Sequence, residues 1–204
     1  MVGKALRRRG LTAALLLVAV AAPATAADLC PRLTIPAELG LACAPIAGDP
    51  LGVAVEPAAG GFAALSRMTV RQLEQKDDPL AWADPDEWLR QQVVIDTGGL
   101  ADSIERFADD PDAPWGGATA MLLAESVRQA LESVGRAALQ VCTAPAATAT
   151  ARSMGCRFGV GSLGLLLDLK LVSIGNERWA VSARSMNERR QRHFEAIANS
   201  LTAN

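Results

Sequence analysis

The sequence predicts an α+β domain, with helices packed on an antiparallel β-sheet and a C-terminal β-hairpin followed by a terminal helix. Three observations predict it. Residues 67–73 and 165–183 alternate apolar and polar side chains with the two-residue period of half-buried strands. Helix-start signals stand at Asp84-Pro85 and Ser185. The order runs strands, helices, one strand, hairpin and helix, instead of the strand–helix alternation of a parallel sheet.

The early strands are short and punctuated by turns. Leu33-Thr34-Ile35-Pro36, Leu39-Gly40-Leu41-Ala42 and Gly52-Val53-Ala54-Val55 read as strands, followed beyond Gly60-Gly61 by Arg67–Leu73, where Met68 and Val70 share one side. A helix then starts with Asp84 as N-cap, Pro85 at the first helical position and Glu87 three residues after the cap. Its apolar side holds Trp88, Leu89, Val93 and Val94, and Thr97-Gly98-Gly99 is expected to end it. Leu100, Ile104, Phe107 and Ala108 make a second short helix that stops at Asp110-Pro111. After a turn at Pro114-Trp115-Gly116-Gly117, a third helix runs from Ala118 to the cap candidate Gly135, and Ala137–Cys142 reads as a strand.

In the hairpin, Leu165, Leu167, Leu169 and Leu171 lead to Gly175-Asn176, and Trp179, Val181 and Ala183 follow. A two-residue turn would set Leu171 opposite Ala180 and Asp168 opposite Ala183. A three-residue loop, Gly175 to Glu177, sets Leu171 opposite Val181, Leu169 opposite Ala183 and Asp168 opposite Arg184. The second pairs apolar with apolar and acid with base, so it is the expected register. The closing helix takes Ser185 and Glu188 as its capping box and Phe194, Ile197, Ala198 and Leu201 as its buried stripe. Arg189, Arg190 and Arg192 are expected in solvent.

The N-terminus reads as a signal peptide. Lys4, Arg7, Arg8 and Arg9 precede an apolar run of 12 residues, Leu11 to Ala22, and Ala24-Thr25-Ala26 offers small residues for cleavage near Ala26. That run is short against the roughly 20 residues that cross a bilayer. Neither Cys30 nor Cys43 has the leucine-and-small-residue context of lipoprotein processing. The expected organisation is therefore a signal peptide at 1–26 and a single domain at 27–204, periplasmic or secreted and not membrane-spanning. Removing 26 of the 204 residues leaves 178, and taking one Lys and three Arg from a net charge of −2 leaves −6. An acidic domain has no electrostatic reason to bind nucleic acid.

Four cysteines, Cys30, Cys43, Cys142 and Cys156, suit two disulfides in an oxidising compartment. Of three connectivities, chain distance favours Cys30–Cys43 and Cys142–Cys156, each closing a short loop worth about 3 kcal/mol on chain-entropy grounds. The second would close the low-complexity stretch 144–151 into a hairpin. A redox C-x-x-C motif is missing, and a zinc site lacks its histidines.

The order of elements and several stretches resemble the PsbP-like superfamily. Leu33-Thr34-Ile35-Pro36 is similar to the family's opening segment, and Ser133-Val134-Gly135-Arg136-Ala137-Ala138 to its small-residue entry into a central strand. Asn176–Ala183 and Phe194–Leu201 look like its final strand and closing helix. The resemblance implies an exported sheet sandwiched by helices that acts as an accessory, assembly or binding protein. The family shares no catalytic residues, so none carries over.

Read residue by residue, the chain names no catalytic, cofactor or metal site. His193 is the single histidine and no G-x-S-x-G elbow exists to serve it. Asp77, Asp78, Asp84, Asp86 and Glu87 form one acidic cluster and Asp109, Asp110 and Asp112 another, without EF-hand spacing. Gly159-Val160-Gly161-Ser162-Leu163-Gly164 matches G-x-G-x-x-G in letters, but it precedes a strand where the dinucleotide motif opens a helix. Trp82, Trp88 and Trp115 flank the acidic turns and would mark a partner surface if exposed together. The expected function is an exported accessory or binding protein without catalytic activity, recognising an envelope protein or a small ligand. The alternatives are a hydrolase with a dispersed site and a Ca²⁺-dependent module using the acidic turns.

Overall fold

The computed structural model describes residues 26–58, 66–108, 142–160 and 163–201. Within them the chain is α+β. Seven strands, β1 (Leu41–Pro45), β2 (Gly52–Pro57), β3 (Arg67–Leu73), β4 (Ala146–Ala147), β5 (Ala151–Val160), β6 (Leu163–Ile174) and β7 (Glu177–Ser185), form one sheet. Its order is β1-β2-β3-β7-β6-β5-β4, antiparallel throughout. The helices are α1 (Ala26–Leu29), α2 (Pro79–Ala83), α3 (Pro85–Ala108) and α4 (Glu188–Asn199).

Helices cover both faces. On one side Leu89 and Val93 of α3 and Ala81 of α2 meet Leu73, Met154, Leu165, Leu167, Leu169 and Leu171. On the other, Leu29 of α1 and Phe194, Ile197 and Ala198 of α4 meet Val53, Val55, Met68, Val70, Trp179, Val181 and Ala183. Each cluster collects alternate residues of its strands, as the pleat requires.

This two-sided burial corrects the expected hairpin register. β6 and β7 are joined by the two-residue turn, with Leu171 opposite Ala180 and Asp168 opposite Ala183, not Arg184. Cross-strand partners share a face, so the leucines of β6 point at α3 while Trp179, Val181 and Ala183 point at α4. Matching apolar with apolar across the hairpin fits a sheet with one buried side. Here both sides are buried, and the one-residue difference sends the two apolar sets to opposite faces. Gly175 takes φ 59° and no non-glycine residue among the described ones has positive φ, Asn176 included, the pattern of a turn that needs glycine first.

Other expectations are corrected locally. Residues 33–36 form no strand: Leu33 closes a 3₁₀ turn over Cys30–Arg32, and Pro36 leads into a second over Ala37–Leu39. The glycines at 98 and 99 do not end a helix, because α3 runs unbroken from Pro85 to Ala108. Two helical glycines cost about 1 kcal/mol each relative to alanine, a penalty and not a stop. Helix α2 was not among the expected elements, although Asp78-Pro79 repeats the Asp-Pro start of α3. Its last turn explains why the capping box at Asp84 is half made: Asp84 Oδ1 accepts from Glu87 N at 3.1 Å, while Asp84 N–H donates back to Leu80 O at 2.8 Å. Glu87 therefore turns to Arg90 and Gln91 instead of to its cap.

The cap of α4 is Asn187, whose Oδ1 accepts from the amides of Arg189 (2.8 Å) and Arg190 (3.2 Å). Ser185 is instead the buried last residue of β7, where its hydroxyl accepts from Asn187 N at 3.1 Å. The expected stripe of Phe194, Ile197, Ala198 and Leu201 is buried. The helix expected at 118–135 and the strand residues 137–141 lie outside the described residues.

Disulfides join Cys30 to Cys43 and Cys142 to Cys156, the pairing that chain distance favours. The second ties the start of the segment carrying β4 to the middle of β5, and β4 and β5 pair as a hairpin around 148–150. Among the described residues no helix is long and apolar enough to cross a membrane.

Candidate functional site

Helix α4 lies across β7, and among the described residues β5, β6 and the flank of α4 line a groove. Its floor is set by the register. Asp168 of β6 lies opposite Ala183 on one side and Gly155 of β5 on the other, all facing α4. The groove has two lobes, of about 340 and 320 Å³, which share Gly155, Asp168 and Glu195. Arg157, Glu188, Gln191 and Arg192 line the first, and Ser153, Lys170, Phe194 and Ala198 the second.

Gln191 is the wall's least expected member. It sits on the buried stripe of α4, only 7% exposed, one turn before Phe194. Its Nε2 donates to Asp168 Oδ2 at 2.7 Å and to Ala183 O at 2.9 Å. Both partners are acceptors, so the amide orientation is fixed by chemistry, and Oε1 is left buried with no hydrogen-bond partner. An orphaned buried acceptor costs roughly 1–3 kcal/mol.

The Asp168 carboxyl is raised above the ordinary carboxylate range. Desolvation in the groove is the main cause and the nearby Glu195 adds to it, while the Gln191 hydrogen bond and Arg157 pull the other way. Glu188 at the rim is lowered, because Arg157 donates to it at 2.8 Å. Gly155 also shapes the floor: a Cβ there would stand 2.9 Å from Asp168 Oδ1. Glycine inside a strand marks a place where another group approaches closely.

Among the described residues lining the groove, Cys156 is in a disulfide and the Thr143 hydroxyl donates to Gly155 O and accepts from Gly155 N, while Ser153 in the second lobe has no histidine beside it. What remains is a set of acceptors and charges suited to holding a ligand.

The residues singled out by sequence fall elsewhere. His193 faces a separate depression of about 310 Å³ with Glu38, Leu39, Leu41, Asn187, Arg189 and Arg190, and no serine or cysteine lines it. Trp88 is buried against α3's core partners, and Trp82 is half-buried under the Arg178 guanidinium at 5.2 Å. Trp115 lies outside the described residues, as do Asp109, Asp110 and Asp112, so no exposed tryptophan pair stands among the described ones. The first acidic cluster is dispersed into ion pairs, Asp78 with Arg71, Asp86 with Arg152 and Glu87 with Arg90, while Asp84 caps α3. No group of three His, Cys, Asp or Glu able to hold a metal occurs among the described residues. The G-x-G-x-x-G letters fall where β5 gives way to β6, with Gly159 opposite Gly164.

Compared with protein-family models, curated proteins and solved structures, the chain matches none. Function has to be read from the groove itself.

Proposed function

We propose that this chain is an exported, non-enzymatic binding protein of PsbP-like shape that receives an envelope partner or a small ligand in the groove beside α4. The observation that carries the reading is the groove itself, two adjoining lobes of about 340 and 320 Å³ that share Gly155, Asp168 and Glu195, with the Asp168 carboxyl on the floor raised chiefly by desolvation. A perturbed carboxyl in a cleft is a natural contact for a ligand. The two disulfides fit a periplasmic or extracellular setting. In this reading, cleavage near Ala26 releases a domain beginning just before Leu29, whose side chain is buried in the α4-side core.

The test is amide chemical-shift mapping on the mature domain, titrated with a periplasmic extract and its small-molecule fraction. Shifts confined to Gly155, Asp168, Gln191 and Glu195 are expected. Shifts confined to another face, or turnover of any substrate, would overturn the reading. N-terminal sequencing of the exported protein checks the cleavage.

A further inference from the structure

Strand β1 is an open edge of the sheet: among the described residues, β2 is its single neighbour. The pairing leaves one set of its backbone groups facing outward. Ile46 N–H donates to Gly52 O and Ala58 N–H to Gly40 O, both at 3.0 Å, so positions 40, 42, 44 and 46 face β2. The N–H and C=O of Leu41 and Cys43 and the C=O of Pro45 therefore point away from the sheet. Folded proteins blunt such edges with charged side chains, proline or very short strands. The opposite edge, β4, has two residues. β1 has five and no charge, and Pro45 closes only its far end.

At its near end this edge meets a basic depression. Leu39 and Leu41 line the same cavity of about 310 Å³ as Arg189, Arg190 and His193 of α4. Neither arginine has an ion pair among the described residues, while Arg67, Arg71, Arg90, Arg152 and Arg157 each pair with a carboxylate. Glu38 is the single acid in the lining, exposed and paired with neither. The helix end itself adds little, because Asn187 Oδ1 already takes the first-turn amides. The surplus positive charge is carried by the two guanidinium groups.

We propose that the β1 edge takes an extended peptide segment of a partner protein, added antiparallel as a further strand, with a carboxylate at its C-terminal end seated on Arg189 and Arg190. Backbone bonds to Leu41, Cys43 and Pro45 supply affinity, and the carboxylate on the guanidinium groups fixes direction and register. Antiparallel pairing is the pattern of this whole sheet. It sets the incoming segment's C-terminal end beside Leu41, where the arginines stand. A second copy of the chain fits less well, since β1 against β1 brings no carboxylate of its own to them. The carboxylate arrives on a Glu side chain or as a chain's C-terminus, and the probes below separate these. This surface lies apart from the groove beside β5 and β6, so the two readings stand or fall independently.

The experiment is a calorimetric and chemical-shift titration of the exported, oxidised protein with acetylated Thr-Val-Thr-Val-Glu amide, acetylated Thr-Val-Thr-Val free acid, and acetylated Thr-Val-Thr-Val-Lys amide as the cationic control. Saturable binding of an acidic peptide is expected, with slowed hydrogen exchange at the Leu41 and Cys43 amides. Tighter binding of the Glu amide assigns the carboxylate to a side chain, and tighter binding of the free acid assigns it to a C-terminus. In either case Arg189→Gln/Arg190→Gln should weaken binding by about tenfold, the loss expected for a charge-assisted hydrogen bond. Arg189 is exposed, so Arg189→Gln alone keeps the fold and should show part of that loss. Two further versions of the tighter peptide carry N-methyl groups on the valines or on the threonines. Alternate N–H groups of an added strand face β1, so one version should lose binding and the other keep it. Equal binding of the Lys peptide, or binding by both methylated versions, would overturn the proposal. So would Leu41 and Cys43 amides that no peptide moves, or that gain protection with protein concentration alone, which would give the edge to a second copy.

Discussion

One amide of α4, that of Gln191, bonds both strands of the hairpin at a single rung, taking Asp168 Oδ2 at 2.7 Å and Ala183 O at 2.9 Å. Asp168 and Ala183 are direct cross-strand partners, so the helix is pinned to the sheet at the position that the turn's register defines. Gln191→Met keeps the length of the side chain and removes both donors. It loses a bond to the Asp168 carboxyl, worth about 1.5–3 kcal/mol, and one to the buried Ala183 O, worth about 1–3 kcal/mol. Removing the orphaned Oε1 recovers about 1–3 kcal/mol, so the net loss should be about 1–3 kcal/mol. Urea denaturation of the oxidised domain measures it; a loss under about 0.5 kcal/mol, the scatter of a neutral surface change, would mean that the pin adds nothing to stability.

The register itself hangs on Gly175. Its φ of 59° lies in the left-handed region, and nothing stands within 4 Å of a Cβ built there, so a substitution meets backbone strain and no clash. Gly175→Ala should destabilise by about 1–2 kcal/mol, and Gly175→Asn by less, because asparagine tolerates this conformation. Equal midpoints for the two variants in thermal unfolding would contradict the strain argument.

What the sequence revealed was what local chemistry decides. The alternation of Met68 and Val70, the start of α3 at Asp84-Pro85, the stripe of Phe194, Ile197 and Ala198 and the two short disulfide loops all depend on neighbours within a few residues. The hairpin register was not legible, because it turns on whether helices cover one face of the sheet or both. The groove was hidden for the same reason. Asp168 and Gln191 are 23 residues apart and meet only once the turn sets the rung and α4 docks over it. One signal was available: Asp168 is the only acid in the leucine-rich strand Leu163–Ile174, at a position that alternation places away from the leucines.

The disulfides should contribute in proportion to the small loops that they close. Each spans 13 or 14 residues, which corresponds to about 3 kcal/mol from loop-closure entropy. Cys156 is also buried beside Leu167, while Cys30 and Cys43 sit at the periphery of the α4-side core. The double variant Cys142→Ser/Cys156→Ser should therefore lose more than Cys30→Ser/Cys43→Ser, since it also places a hydroxyl in an apolar site. Chemical unfolding with and without dithiothreitol checks this: the reductant should destabilise the parent by more than either double variant. A parent indifferent to reductant would show that the crosslinks add nothing to the fold.

A half-buried acid at the other face sets the sign of a pH dependence. Asp96 of α3 accepts from the Ser182 hydroxyl of β7, and its carboxyl is raised from 3.8 chiefly by desolvation, against the opposing pull of that hydrogen bond, of Gln92 and of Arg184. A raised carboxyl means that the folded chain holds its proton more tightly than the unfolded chain does. Its contribution is therefore fully present below about pH 3.8 and is lost as pH rises through the folded value, after which it stays constant. Asp168 is raised too and acts in the same direction, whereas Glu188 is lowered and acts in the opposite one, so the parent's profile mixes all three. Subtracting the profile of Asp96→Asn isolates Asp96. The variant keeps an oxygen to accept from Ser182 and carries no charge, so its stability relative to the parent should increase from about pH 3.5, near an ordinary carboxyl, to about pH 7. A difference curve that is flat, or that falls with rising pH, would mean that Arg184 and the hydrogen bonds outweigh burial and that Asp96 is a stabilising anion.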